Sequence, residues 1–135
     1  QPYLTSGQLK NLADNGFTIG AHSHNHPEFW TISEEQQMRE VKESMAVLQK
    51  IITQPLKTFA FPYTDWGVPS SVLETLHNEN ICDITFGTAG IKNDEFDFHF
   101  QRYPAEQAGN FIQNLKGEFV YYKLRKWVGK ATVRH

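Results

Sequence analysis

The stretch that decides the fold is GFTIGAHSHNHPEF, residues 16–29. It begins with a glycine, continues through the short apolar run FTIGA, and then places His22, His24 and His26 at alternate positions. The apolar run predicts a strand, and the polar residues after it predict a loop. The three histidines are therefore expected to lie directly after the end of a strand.

Helical signals lie on both sides of this stretch. Thr5 and Ser33 are each followed three residues later by a glutamine, which is the pattern of a capping box at a helix N-terminus. The first helix is expected to end at Gly16, in the position after the C-cap that favours glycine. The second helix is amphipathic and is expected to run to about Ile52, because Pro55 prevents its continuation.

The later chain continues the alternation of helix and strand. Its residues predict strands at 56–61 and 81–87, a helix that begins at Ser70, and two further helices at 106–117 and 118–129. The strand at 81–87 is apolar enough to be buried on both of its faces. Such alternation predicts an α/β fold in which helices cover parallel strands.

Length and composition fit a single domain over residues 1–135. A formal net charge of −2 gives no argument for a nucleic-acid partner, and the chain has no apolar run near the ~20 residues of a membrane span. The single cysteine, Cys82, excludes an intrachain disulfide. It lies in an apolar run and is interpreted as a small core residue. The oligomeric state is left open.

The histidine loop has the spacing of a metal site. His22 and His26 are separated by three residues, so both imidazoles can face one cation from a single turn, while His24 is expected to point away. Two histidines need a third ligand to hold a catalytic zinc. In an α/β fold the reactive groups lie after the C-terminal ends of strands, where residues 22–29 and 62–67 (PYTDWG) both fall. From the spacing alone, a metal site and a solvated polar loop are both possible.

Three segments together resemble the NodB-like polysaccharide deacetylases, carbohydrate esterase family four. Residues 4–29 match the family's helix, strand and His-(Ser/Thr)-x-x-His motif, and residues 58–63 (TFAFPY) match its Phe-Ala-Tyr-Pro-Tyr-Gly motif with Phe61 in place of the first tyrosine and Thr64 in place of the glycine. Arg102, in FQRYP, matches the arginine that precedes a hydrophobic residue and proline. The resemblance runs from about residue 4 to about residue 104.

The resemblance implies a fold, an activity and a cofactor. The family folds as a distorted (β/α) barrel, and it hydrolyses the N-acetyl amides of sugar polymers with a divalent metal ion, often zinc. Carried over, His22 and His26 become metal ligands, the Tyr63 N–H helps to hold the oxyanion, and Arg102 orients the general base. An N-acetylated, GlcNAc-containing polysaccharide becomes the partner. A location in the cell envelope or outside the cell is implied by the resemblance alone.

The residues around the predicted site suggest substrate contacts. Pro62, Asp65 and Trp66 are predicted to line the substrate, with Asp65 binding sugar hydroxyls and Trp66 stacking on a pyranose face. The alternative for YTDWG is a turn closed by the aspartate, with a partly buried tryptophan.

The match to the family is incomplete. The Thr-Phe-Asp-Asp-Gly motif, which supplies a metal ligand and the general base, is absent, so the chain is expected to be the C-terminal two-thirds of a deacetylase domain. No clear general-acid motif is present, and His99 is the nearest candidate by position. A de-N-acetylase is the first functional hypothesis. A non-catalytic carbohydrate-binding relic is the second, and an amidase or esterase for small substrates is the third.

Overall fold

A computed structural model describes residues 3–106 and 109–135. Helices and strands alternate through most of the chain, and the strands that pair do so in parallel, which confirms the predicted α/β class. The elements are α1 (Ser6–Asp14), α2 (Glu34–Ile51), β1 (Thr58–Ala60), α3 (Ser70–Asn78), β2 (Ile84–Gly87), β3 (Asn93–Asp94), β4 (His99–Gln101), α4 (Phe111–Trp127) and β5 (Thr132–Val133). In the part of the chain that is described, no helix combines the length and apolar character needed to cross a membrane.

The capping signals are confirmed. The Thr5 hydroxyl accepts the Gln8 N–H at 3.3 Å while the Gln8 side chain accepts the Thr5 N–H at 2.8 Å. Ser33 and Gln36 make the same reciprocal pair at the start of α2. Gly16 follows α1 with a φ of +87°, a left-handed conformation that glycine adopts without steric cost. These local signals fix where α1 and α2 begin and where α1 ends.

The central sheet has the strand order β1-β2-β4, and all of its pairs are parallel. Ala21 joins the outer side of β1 through a single parallel bridge to Phe59. The strand predicted over residues 17–21 is therefore reduced to this bridge. The reason lies in Gln54, whose side-chain amide donates to the Ile19 carbonyl at 2.6 Å and accepts the Ile19 N–H at 3.0 Å. A side chain thus satisfies the backbone groups that a strand partner would otherwise take.

The hydrophobic core lies against β1 and is rich in aromatic rings. The rings of Phe29 and Phe59 both lie about 5 Å from Phe61, at 5.1 and 5.0 Å between centroids, and all three side chains are fully buried. Residues from α2 and α3 complete the core. Cys82 is also buried, and burial raises the pKa of its thiol to about 12, which fits the predicted core role.

Two predictions about later elements are wrong. The strand β2 is buried on one face only, because Phe86 lies half-buried beside Phe100, whose side chain is itself exposed. The two helices predicted over residues 106–129 form the single helix α4. Gly117 lies inside α4 with open space around it, so it does not end the helix. After α4, β5 pairs in parallel with β3, a contact that the sequence did not predict.

Candidate metal and substrate site

The histidine loop, residues 22–26, leaves the sheet directly after the Ala21 bridge. The Nδ1 atom of His22 lies 2.7 Å from the Ala60 carbonyl oxygen, which can only accept, so Nδ1 carries the proton of the neutral ring. The other ring nitrogen, Nε2, is then free to bind a metal. The rings of His22 and His26 lie 5.0 Å apart between centroids. His24 is exposed, and its ring has no part in this contact, as predicted.

The backbone of the histidine loop is strained and is held by hydrogen bonds. Ser23 and His26 have φ values of 71° and 56°, in the left-handed region that side chains seldom adopt. The Ser23 hydroxyl accepts the His26 N–H at 2.9 Å, and the Glu40 carboxylate from α2 accepts the N–H groups of His24 and Asn25 at 2.9 and 2.7 Å. This role of Glu40 has no signal in the sequence, because a glutamate on a helix surface is ordinary.

The charge of Glu40 is favoured by the loop that it holds. Burial acts to raise the pKa of Glu40, but hydrogen bonds from the side chain and backbone of Asn25 and the backbone of His24 outweigh it, and the pKa lies below its ordinary value. Glu40 is therefore ionised at neutral pH. Its negative charge lies beneath the turn that carries His22 and His26, and it fixes the shape of that turn.

Tyr63 lies beside the histidines in a second strained turn. Its φ is 55°, its side chain is 59% exposed, and its ring centroid lies 4.8 Å from that of His26. Within residues 3–106 and 109–135, the Tyr63 N–H donates to no acceptor. Pro62, one residue earlier, is fully buried. The N–H of Tyr63 is thus available to an external acceptor. Pro62 is buried beneath the turn, and its predicted substrate contact stays a prediction.

Arg102 lies under the ends of β1 and β2. Its Nε donates to the Gly87 carbonyl at 3.0 Å, and a terminal nitrogen donates to the Phe61 carbonyl at 2.8 Å. Burial lowers the pKa of Arg102, and the negative charge of Asp65 opposes that shift. Arg102 therefore fastens the segment that carries Tyr63 to the sheet. Its predicted role in orienting a general base stays a prediction.

Asp65 and Trp66 follow Tyr63 closely but face different environments. Asp65 is 4% exposed and Trp66 is 72% exposed, with the Trp66 ring 6.4 Å from that of Trp30. The Asp65 carboxylate accepts the Thr88 N–H at 3.1 Å and the Gln101 amide at 2.7 Å. Trp66 can thus be reached by a sugar ring, whereas Asp65 can bind a hydroxyl only if these internal bonds open.

Asp65 belongs to a group of four ligand-type side chains. Each side chain offers one ligand atom, and the four atoms lie within 4.8 Å of one another. We call this group the Asp–His cluster, and its members are Asp65, Asp94, His99 and His135. His99 Nε2 is 3.1 Å from the Asp65 carboxylate, and His135 Nε2 is 3.1 Å from the Asp94 carboxylate. His99, the candidate general acid, is 1% exposed within this cluster. Its predicted role stays a prediction.

Interactions within the Asp–His cluster shift the pKa values of its members. Burial acts to raise the pKa values of Asp65 and Asp94, but hydrogen bonds outweigh burial and both pKa values are lowered. The main donors are His99 and Gln101 for Asp65, and His135 and Gln101 for Asp94. Burial acts to lower the pKa of His135, but the hydrogen bond and charge of Asp94 raise it above its ordinary value. The cluster thus favours the ionised form of each carboxylate and the protonated form of His135 more than water does.

The two histidines fit part of a metal site. His22 offers an anchored imidazole and His26 lies beside it, which is the donor chemistry that zinc prefers. Among the described residues, no third histidine, cysteine, aspartate or glutamate joins them in one ligand group. A complete site therefore requires a ligand from outside these residues.

Comparison with known proteins supports the resemblance seen in the sequence. The polysaccharide deacetylase family model matches residues 4–80, which is more than half of the chain and includes the histidine loop and the Tyr63 turn. Neither the curated proteins nor the solved structures give a significant match to the chain.

Proposed function

The chain belongs to the polysaccharide deacetylase family, and we propose that it forms the C-terminal part of a metal-dependent de-N-acetylase that acts on a GlcNAc-containing polysaccharide. In this reaction water adds to the acetyl carbonyl and the amide C–N bond breaks, which gives acetate and a free amine. The family match supports the deacetylase activity. The metal, the polymer and a location in the cell envelope or outside the cell belong to the proposal.

The observation that carries the proposal is the meeting of the histidine loop and the Tyr63 turn. His26 and Tyr63 are in ring contact, and the Tyr63 N–H has no acceptor in the described chain. A backbone N–H beside a Lewis-acid site is suited to receive the oxygen of a carbonyl as it gains negative charge. Arg102 supports this function by holding the Phe61 carbonyl, two residues before Tyr63.

The metal of the proposed site would be held by His22 and His26 together with a carboxylate from outside the described residues. When bound, a divalent ion such as zinc would polarise the acetamide carbonyl and activate water. The general base would likewise come from outside the described residues. His22 and His26 would hold the metal, the Tyr63 N–H would donate to the developing oxyanion, and Trp66 offers an exposed ring for a sugar.

One observation favours the second function, a carbohydrate-binding relic without catalysis. Among the described residues, no carboxylate forms a ligand group with His22 and His26. The exposed rings of Tyr63 and Trp66 both lie close to that of Trp30, at 6.3 and 6.4 Å between centroids. Exposed aromatic rings of this kind can stack on sugar rings without any reaction.

The test is acetate release from N-acetylglucosamine oligomers by the full-length protein. We expect activity that is lost with chelator and in His22→Ala. His24→Ala is the matched control, because this exposed histidine lies in the same loop without facing the site, and it should retain activity. Full activity in His22→Ala would refute the metal role of the histidine loop. Oligomer binding without acetate release would support the relic.

A further inference from the structure

We propose that the Asp–His cluster is a second metal site, which binds a zinc-type divalent cation and is separate from the histidine loop. Its ligands come from the loop after β1, from β3, from β4 and from the residues after β5. All four ligand atoms lie within 4.8 Å of one another, so one ion can contact each after small movements. No residue of the histidine loop takes part.

The far side of the His99 imidazole is anchored, as in known metal sites. His99 Nδ1 lies 2.7 Å from the Thr85 hydroxyl, so its Nε2 is aimed at Asp65. The His135 ring is held by the bond from its Nε2 to the Asp94 carboxylate at 3.1 Å. Histidine ligands nearly always anchor the ring nitrogen that does not bind the metal. An Nδ1–H donated to Thr85 would leave the His99 Nε2 lone pair for an ion, in place of the present bond to Asp65.

The carboxylates are supported in the same manner. The Gln101 amide nitrogen donates to Asp65 at 2.7 Å and to Asp94 at 2.8 Å. The Oδ2 atom of each aspartate accepts this bond and one from a histidine, so an ion that replaces the histidine bond leaves the Gln101 bond in place. Gly87 lies so close that a Cβ atom there would meet the Asp65 Oδ2 atom at 2.1 Å. The backbone thus approaches the cluster in a way that only glycine permits.

The ligand set selects the kind of metal. Two imidazoles and two carboxylates suit zinc, which takes four nitrogen, oxygen or sulfur ligands in a tetrahedral arrangement. Magnesium and calcium prefer oxygen ligands alone, so the two histidines disfavour them. Two carboxylate charges also balance a divalent cation. With four protein ligands and no open position, the bound ion would have a structural role.

A path to the cluster exists, and the ion would stabilise a defined part of the fold. A cavity of about 540 Å³ has Asp65, Trp66 and His135 among its lining residues, so an ion can enter from solvent. Once bound, it would connect the end of the chain after β5 to the turn after β1. That turn carries Tyr63 and Trp66, so the ion would hold the substrate side of the histidine loop in place.

The test is zinc binding to the chain by calorimetry and by metal analysis after dialysis. The double variant His22→Ala/His26→Ala removes the histidine loop as a ligand source, and we expect it to retain one tightly bound zinc. In that background, Asp94→Asn and His135→Gln should each weaken zinc affinity at least about 100-fold, beyond the 10–100-fold typical of outer-shell changes. His24→Ala is the matched histidine control and should leave zinc affinity unchanged.

A second readout separates ligation from misfolding. Cobalt(II) in the double variant should show the intense visible bands of tetrahedral coordination, and His135→Gln should reduce them while the circular dichroism of the folded chain is retained. Absence of zinc binding in the double variant would overturn the proposal, as would unchanged affinity in both Asp94→Asn and His135→Gln. These measurements need no acetate release, so the proposal can fail while the deacetylase function stands, and the reverse also holds.

Discussion

The histidine loop and the Asp–His cluster both gather histidines, but they do so at opposite levels of exposure. His22 and His26 lie on an exposed turn, and no carboxylate of the described residues joins them in a ligand group. His99 and His135 lie inside the fold, and each has an aspartate at 3.1 Å. The loop can reach a polymer but needs a further ligand, whereas the cluster can hold an ion alone but is closed to a polymer. We therefore assign catalysis to the histidine loop and structural metal binding to the Asp–His cluster.

The largest effect should separate the two regions by activity. His22→Ala in the full-length protein should lower kcat/KM for acetate release by about 10³-fold or more, because Lewis-acid stabilisation contributes several kcal/mol to the transition state. Asp94→Asn should lower it much less, since Asp94 acts through the fold. Steady-state kinetics on N-acetylglucosamine oligomers gives both values. Equal losses in the two variants would contradict the division of roles.

The next effect concerns the stability of the cluster. Gly87→Ala places a Cβ against the Asp65 carboxylate and the Gln101 side chain, and we expect a loss of about 1–3 kcal/mol in the free energy of unfolding. Gly117→Ala is the matched control, because Gly117 lies in the helix α4 with open space around it. That change should increase stability by about 0.5–1 kcal/mol. Denaturant unfolding measures both, and a harmless Gly87→Ala would show that the cluster is loosely packed.

Sequence reasoning reached the loop and missed the cluster for a physical reason. His22 and His26 belong to one turn, and Thr5 and Ser33 cap helices through partners three residues away, so short spacing contains the information. Asp94 and His135 meet only because β5 pairs with β3, and strands of two residues leave no periodic pattern. The sequence places Asp65 beside the predicted substrate site, but the side chain points inward because it is bonded to Thr88 and Gln101.

The same distinction explains the errors in the fold. The capping boxes and the parallel strand order followed from local patterns and from the alternation of elements. The strand predicted over residues 17–21 was lost to Gln54, which is distant in sequence, and no local pattern reports that competition. The predicted boundary between two helices falls at Gly117, which lies inside α4. A single interior glycine costs only about 1 kcal/mol relative to alanine and often leaves a helix intact.

A third prediction tests how the exposed loop keeps its shape. Glu40→Gln removes the charge that accepts the N–H groups of His24 and Asn25, and we expect stability to fall by about 1–2 kcal/mol at neutral pH. Because the folded pKa of Glu40 is lowered, its contribution is present above the unfolded pKa and is lost as the pH falls through the folded value. The difference between wild type and variant should therefore shrink in acid. Thermal unfolding at several pH values gives this profile, and a constant difference would contradict it.

The smallest expected effect is the contribution of charge to the stability of the Asp–His cluster, measured in the presence of a chelator so that no metal contributes. The pKa of His135 is raised in the folded state, so its ion pair stabilises the fold fully below the unfolded pKa and is lost as the pH rises through the folded pKa. His135→Gln should thus cost roughly 1 kcal/mol in mild acid and less in alkali, the opposite direction to Glu40→Gln. Asp65 and Asp94 face His135 and stay ionised over this window, since their own pKa values are lowered. Unfolding curves for both variants across one pH series show whether the two losses of stability change with pH in opposite directions. Parallel pH profiles would mean that the buried cluster and the exposed loop are stabilised by the same kind of charge, and the contrast between them would fail.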